Sequence, residues 1–181
     1  MRNVFWLAGL FGAALLCHSC AGQRPEPVEV ADAGAGRRVL IATGQSDFKN
    51  ALTARLVEGL KERRCGLRVI PVDGLTAEAA AGFDAFVIID SCRAGSLSGP
   101  ARRHLAAPGA AERTVLVPTS GNGRWKPAGR ADAVSCASKP AESGKAAAEI
   151  LAQLDRLLVG AKSAPARDAY SGATPPRGNR P

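Results

Sequence analysis

Five short apolar runs divide the middle of the chain, and small polar residues follow most of them. The first run begins at Arg38, ends at Thr43 and passes through a turn containing Gly44 into a helical pattern after Ser46. The other four runs cover residues 67–72, 83–89, 114–117 and 133–136. Because these runs are nearly continuous rather than alternating between apolar and polar residues, they are typical of parallel strands covered on both faces.

Helical patterns fill most of the gaps between the runs. Phe48, Leu52, Leu56 and Leu60 recur every fourth residue and form one apolar stripe, while Lys49 is expected among the solvated residues. Shorter helices are predicted near residues 76–81 and 100–105, and a long final helix is predicted to end at Gly160. Alternating strands and helices predict a three-layer α/β sandwich, whose ligands bind beyond the carboxyl ends of the strands.

The first residues of the chain resemble an export signal. Arg2 precedes an uncharged apolar run that is too short to span a bilayer, so residues 1–20 are predicted to be a signal peptide. The sequence Ser19-Cys20-Ala21-Gly22 allows two outcomes, peptidase cleavage after Ala21 or acylation of Cys20 as in bacterial lipoproteins. We therefore predict an exported protein of the cell envelope, either anchored to the membrane by lipid on Cys20 or released into the periplasm.

Composition divides the rest of the chain into three parts. Residues 21–36 are rich in Gly, Pro, Ala and acidic groups and are predicted to be a flexible tether. Residues 160–181 contain one large apolar side chain, Tyr170, and are predicted to be a disordered tail. The remaining residues, 37–159, have the length of one ordinary domain.

Small hydroxyl residues and glycines follow the first, third and fourth runs. Their number exceeds what turns alone require. Parallel strands end at the same edge of a sheet, so these residues are expected to lie near one another and to form a ligand site. The turn after the first run can bind an anion, because a helix begins there, or Gly44 can simply let the chain reverse. The candidates are Thr43, Gly44, Gln45 and Ser46 after the first run, Ser91 after the third, and Thr119, Ser120, Gly121 and Trp125 after the fourth.

Two sets of motifs in this domain resemble the flavodoxin-like superfamily. Thr43-Gly44-Gln45-Ser46 is similar to the turn that holds the phosphate of FMN in flavodoxins. The residues 83–85 and 95–100, Phe-Asp-Ala and Gly-Ser-Leu-Ser-Gly-Pro, resemble the segments that flank the third flavodoxin strand. The resemblance implies a five-stranded parallel sheet in the order 2-1-3-4-5. It also implies FMN bound through its phosphate by Thr43, Gln45 and Ser46, with Ser120, Gly121 and Trp125 beside the flavin ring.

Two functional hypotheses follow from this resemblance. In the first, the protein binds FMN or a related phosphate-bearing ligand and acts in electron transfer, as a carrier or reductase. In the second, the domain has no flavin and binds another anion or a protein partner. The second hypothesis rests on Arg93-Ala94, which stand where flavodoxins usually have Trp or Tyr, and on a net charge of +8, since flavodoxin electron carriers are typically acidic. A basic surface suits anionic partners such as phospholipid headgroups, although a solvated face has the same composition.

The segment of residues 119–131 lacks a helical pattern where flavodoxins have a helix. Either one face of the sheet is thinly covered and open to a partner or second copy, or the loop folds back with Trp125 beneath it.

Other chemistries find little support in the sequence. Ser46-Asp47-Phe48-Lys49 and Ser120-Gly121-Asn122 resemble two motifs of penicillin-recognising enzymes, but the third motif, Lys-Thr-Gly, is missing. His104 is the only histidine after the signal peptide, so neither a Ser-His-Asp triad nor a zinc site is available. Aromatic residues make up 4% of the chain, which does not favour nucleic-acid binding. Cys65, Cys92 and Cys136 are expected to remain thiols.

Overall fold

A six-stranded sheet forms the centre of the computed structural model, which describes residues 28–30, 36–130 and 132–161. The predicted signal peptide, Cys20, most of the predicted tether and residues 162–181 lie outside the described residues. The strands are β1 (Val28–Val30), β2 (Arg38–Thr43), β3 (Gly66–Pro71), β4 (Ala85–Ser91), β5 (Thr114–Ser120) and β6 (Cys136–Ala137).

The sheet has the order β1-β3-β2-β4-β5-β6. All neighbouring strands are parallel except β1, which pairs antiparallel with β3. The five parallel strands therefore follow the order 2-1-3-4-5, and the fold that the resemblance implied is confirmed. The order reverses between β2 and β4, which makes the carboxyl end of β2 the topological switch point of the sheet.

Four α-helices cover the two faces of the sheet: α1 (Asp47–Glu62), α2 (Ala77–Ala80), α3 (Gly99–Ala106) and α4 (Ser143–Ala161). Hydroxyl side chains begin three of them, because Ser46, Thr76 and Ser98 each accept a hydrogen bond from an amide in the first turn. None of the helices in the described part of the chain is both long and apolar enough to cross a bilayer.

Successive strand residues point to opposite faces and so build two apolar clusters. The first cluster contains Val39 and Ile41 and packs against the stripe of α1 and against Ile150 and Leu154 of α4. The second contains Leu40 and Ala42 and packs beneath α2 and α3. These strand residues are almost fully buried, which explains the continuous apolar runs in the sequence.

Two features of the sheet differ from the sequence-based expectation, and a third agrees with it. Strand β1 lies within the segment predicted to be a tether, and its three residues are too few for a periodic pattern. Strand β6 has two residues, Cys136–Ala137, and begins where the predicted run ends. Cys92 follows β4 and Cys136 belongs to β6, with β5 between them, as the expectation of separate thiols assumed.

The loop between β5 and β6 covers the second cluster in place of a helix. The described residues 121–130 and 132–135 contain no helix. Trp125 is half-buried against the second cluster, and the Ser135 hydroxyl donates to the Trp125 carbonyl at 2.6 Å. Of the two expectations for this region, the folded-back loop is therefore correct and the thinly covered face is wrong.

Candidate functional site

The turn between β2 and α1 lies at the switch point of the sheet. The Gly44 amide donates to the Ile89 carbonyl at 3.4 Å, so the turn begins against β4. Ser46 then caps α1, because its side-chain oxygen accepts from the Lys49 amide at 3.2 Å. The first amides of a helix have no partner within the helix and point out from its end. The predicted turn therefore has the backbone arrangement that favours an anion.

Lys49 occupies the centre of this site. The residue is 4% exposed, and its Nζ donates to the Ser91 hydroxyl at 2.7 Å. A Cβ atom on Gly44 would lie 3.0 Å from the same Nζ, so the amine fills the space that the missing side chain leaves. The expectation that Lys49 is solvated is wrong. Its amine joins the turn after β2 to the end of β4.

The surroundings of Lys49 disfavour its charge. Burial lowers the pKa of the Lys49 amine, since an ammonium without water is costly, and the nearby Arg93 charge lowers it further. The Asp90 carboxylate acts in the opposite direction and raises that pKa, but the net shift is downward. Such an amine gains from an anionic partner, and it also releases its proton more readily than an exposed lysine.

Asp90 and Thr119 hold the neighbouring strand ends in place. The buried Asp90 carboxylate accepts from the Ser98 amide at 2.7 Å and so fixes the loop before α3. The Thr119 hydroxyl donates to the Asp90 carbonyl at 3.1 Å, and the Thr119 carbonyl accepts from the Cys92 amide at 2.8 Å. These bonds give the predicted site residue Thr119 a structural role between β4 and β5.

The loop after β5 is closed on itself and on β6. The Ser120 hydroxyl donates to the Asn122 side chain at 3.2 Å and accepts from the Gly123 amide at 3.1 Å. Gly123 has a φ of +67°, and a Cβ there would lie 2.4 Å from the Ala137 nitrogen. Only glycine fits this approach, which presses the loop against the edge strand.

The predicted site residues therefore fall into two groups. Thr43, Gly44, Gln45 and Ser46 form one turn, and Lys49 links that turn to Ser91. Ser120 makes its contacts within its own loop, and Trp125 packs into the second cluster beside this loop. Its packing against the second cluster competes with stacking on a flavin ring. In residues 92–98 and 120–130 Trp125 is the only aromatic residue, so these two loops offer no second aromatic side chain for a flavin ring.

Sequence reasoning missed Lys49 and Asp90 as members of the site. A signal for Lys49 was present, because it precedes Leu52 by three residues and Leu56 by seven, which places it beside the apolar stripe of α1. Asp90 is the first polar residue after the third apolar run. Its burial depends on the Ser98 amide, which the sequence does not place opposite it.

Comparison with known proteins adds similarities at the level of solved structures. No protein-family model matches the chain, and no curated protein matches its sequence. A flavodoxin from the domain Archaea is 7% identical, with a TM-score of 0.46 and coverage of 67% of this chain and 99% of that one. An oxidoreductase from Corynebacterium diphtheriae is 17% identical, with a TM-score of 0.46 and coverage of 68% and 97%. The metal-soaked Flv1 flavodiiron core from Synechocystis sp. PCC6803 is 12% identical, with a TM-score of 0.45 and coverage of 68% and 37%.

These similarities extend over about two thirds of the chain at low identity, and the functions of those proteins are not transferred to this chain. The observed topology is the stronger evidence, because a parallel sheet with its switch point at β2 and β4 defines the architecture directly. The strand order of its own sheet gives this chain a flavodoxin-like fold.

Proposed function

We propose that this protein binds a phosphate-bearing anion at the turn between β2 and α1, with Lys49 as the cation of the site. The observation that carries the proposal is a nearly fully buried amine placed beside Gly44, in the turn from which α1 begins. An ammonium has three N–H donors, and Ser91 accepts one of them. A phosphate oxygen supplies a further acceptor for this desolvated cation.

The electrostatics of the turn act in the same direction. The positive end of the α1 dipole favours a negative ligand and disfavours the Lys49 charge. A bound anion reverses that balance, because it attracts the ammonium and raises its pKa. The hydroxyls of Thr43 and Ser46 lie at the two ends of the turn as further donors, although the Thr43 hydroxyl donates to the Gly44 carbonyl at 3.0 Å in this structure. We infer that anion binding is accompanied by a rotation of that hydroxyl.

FMN is the phosphate-bearing ligand that the flavodoxin resemblance implies. The residues near the switch point suit its phosphate better than its flavin ring. The turn has donors for the phosphate, whereas Trp125 packs into the second cluster and is the only aromatic residue in the neighbouring loops. The proposal is therefore an anion-binding module without a flavin-stacking face. Electron transfer by FMN is the competing function.

Titration calorimetry with inorganic phosphate tests the role of Lys49. A Lys49→Met chain should bind phosphate about ten- to a hundred-fold more weakly, because a hydrogen bond to a charged group contributes roughly 1.5–3 kcal/mol. Lys145→Met is the matched control, since Lys145 is exposed on α4. Equal phosphate affinity of the Lys49→Met and unsubstituted chains would contradict the proposal.

Two further measurements sharpen the result. Gly44→Ala should weaken phosphate binding with little change in the circular dichroism spectrum, because the added Cβ displaces the Lys49 amine from its position 3.0 Å away. Gly121→Ala is its control, since an added Cβ there meets nothing within 4 Å. FMN is then added to the purified chain. Tight binding with a flavin absorbance band that shifts on binding would favour the competing electron-transfer function and overturn the flavin-free proposal.

A further inference from the structure

Ser91 and Lys49 form a pair that anion binding alone does not use. Ser91 ends β4 and is half-buried, so part of this residue is exposed to solvent. The Lys49 amine lies behind it at 2.7 Å and is 4% exposed. A hydroxyl on a partly exposed serine, hydrogen-bonded to a buried amine, is the arrangement in which a lysine activates a serine for nucleophilic attack.

We propose that Ser91 is a nucleophile and Lys49 its general base, so that this end of the sheet is a site of acyl transfer from carboxylic esters. The Ser-x-x-Lys tetrad of residues 46–49 is not the reacting pair, because the Ser46 side chain caps α1 and accepts from the Lys49 amide. The activated serine comes from β4, forty-two residues away along the chain.

The reaction balances with the ester and water alone. Ser91 Oγ forms a bond to the ester carbonyl carbon while its proton passes to the neutral Lys49 amine. The carbonyl oxygen becomes an oxyanion. Collapse of this intermediate breaks the bond to the alcohol, whose oxygen takes the proton from the Lys49 ammonium. Water then attacks the acyl group on Ser91 by the same sequence and releases the carboxylic acid, which restores the hydroxyl and the amine.

The turn between β2 and α1 offers hydrogen-bond donors that can stabilise the negative charge of the intermediate. α1 begins in this turn at Asp47, the first amides of a helix have no partner within it, and preorganised backbone amides are the usual stabilisers of such an oxyanion. The site thus shares its donors with the proposed anion site. It does not require a resident phosphate, and bound phosphate is expected to inhibit it.

Charged groups around Lys49 set the protonation of the base. Burial lowers the pKa of its amine, Arg93 from the turn after β4 lowers it further, and Asp90 at the end of β4 opposes both. The net downward shift raises the fraction of neutral amine, the form that accepts the Ser91 proton.

Covalent labelling of the purified chain with a fluorophosphonate tests the nucleophile. Ser91 Oγ should displace fluoride from phosphorus and gain the probe's mass, and peptide mapping should place the label on Ser91. Ser91→Ala should abolish the label, whereas Ser138→Ala should keep it, because Ser138 is an exposed serine outside the site. No labelling of the unsubstituted chain, or a label on another residue, would overturn the proposal.

Variants at Lys49 test the base and separate this inference from the proposed anion site. Lys49→Met and Lys49→Arg should both slow labelling and the hydrolysis of p-nitrophenyl acetate on the order of 10²-fold. Lys49→Arg should retain phosphate binding, since it keeps a cation, whereas Lys49→Met should weaken it about ten- to a hundred-fold. Labelling of Lys49→Arg at the unsubstituted rate would show that Lys49 is not a base. Phosphate binding without any serine labelling would overturn this inference and leave the anion site standing.

Discussion

Buried polar side chains with shifted pKa values distinguish this domain from a purely apolar sandwich. Lys49 is one of them. Because its folded-state pKa is lowered, the unfolded chain binds this proton more tightly than the folded chain does. The group therefore disfavours folding at low pH, and the cost is relieved as the pH rises from the lowered value towards 10.5. A cost of this kind is typical of residues kept for function rather than for stability.

Cys136 predicts the opposite dependence of the free energy of unfolding on pH. Burial raises the pKa of its thiol from 9.0 to about 11, with smaller contributions from Glu149 and Glu142. Between those values the folded chain keeps a proton that the unfolded chain loses, so the free energy of unfolding should fall as the pH rises. The loss is roughly 2–3 kcal/mol over the whole window.

Urea unfolding across that pH window measures the effect. Cys136→Ala should flatten the slope, even though it lowers stability at neutral pH by leaving a small cavity. Cys92→Ala is the control, because Cys92 is half-buried beyond the end of β4 rather than buried within the sheet. An unchanged slope in Cys136→Ala would show that other groups cause the pH dependence.

The loop between β5 and β6 covers the second cluster where a helix would otherwise pack. Trp125 supplies the apolar contact, and Ser135 ties the loop to itself through the Trp125 carbonyl. Gly123 lets the loop approach β6 more closely than any other residue allows. The short strand β6 is therefore held in part by this loop and not only by its pairing with β5.

Gly123→Ala should destabilise the domain by about 1–3 kcal/mol, because a side chain with a positive φ is strained. The added Cβ would also lie 2.4 Å from the Ala137 nitrogen, so the loop or β6 must move. Gly121→Ala, two residues away and with open space around it, should stay within about 0.5 kcal/mol of the original chain. Thermal unfolding of both variants provides the comparison, and equal midpoints would contradict the role of Gly123.

The sequence combines a net positive charge with a predicted export signal, and the predicted lipid site precedes the first strand of the sheet by a few residues. The net charge is +8, and seven residues separate Cys20 from Val28. Even fully extended, seven residues span about 25 Å. A lipid on Cys20 would therefore keep the β1 edge of the sheet near a membrane surface, where a basic protein gains from anionic headgroups.

We propose that Cys20 carries lipid and anchors the protein in the cell envelope. Expression in a bacterial host that processes lipoproteins should place the chain in the membrane fraction, because two acyl chains give stable anchoring. Cys20→Ser should move it to the soluble envelope fraction, while Cys17→Ser should leave it in the membrane. Unchanged partitioning of Cys20→Ser would contradict the anchor.

Local pattern was enough to predict the layers of the domain and the position of its first turn. Runs such as that of β2 are apolar throughout because both faces of the sheet are covered, and the α1 stripe repeats with the helical period. The hydroxyl and glycine of the turn after β2 follow from local backbone requirements that a short segment contains in full. The order of the strands came from the family resemblance, since periodicity does not encode which strands are neighbours.

Contacts between distant segments decided the rest. Lysine is usually a solvated residue type. The Lys49 amine has a hydrogen-bond partner inside the protein only because folding brings β4 and its Ser91, forty-two residues later, next to α1. Strand β1 exists because β3 offers it a free edge, and the β5–β6 loop is ordered by the cluster that Trp125 covers. In each case the free energy comes from a partner that is far away in sequence and close only after folding, so no local pattern contains it.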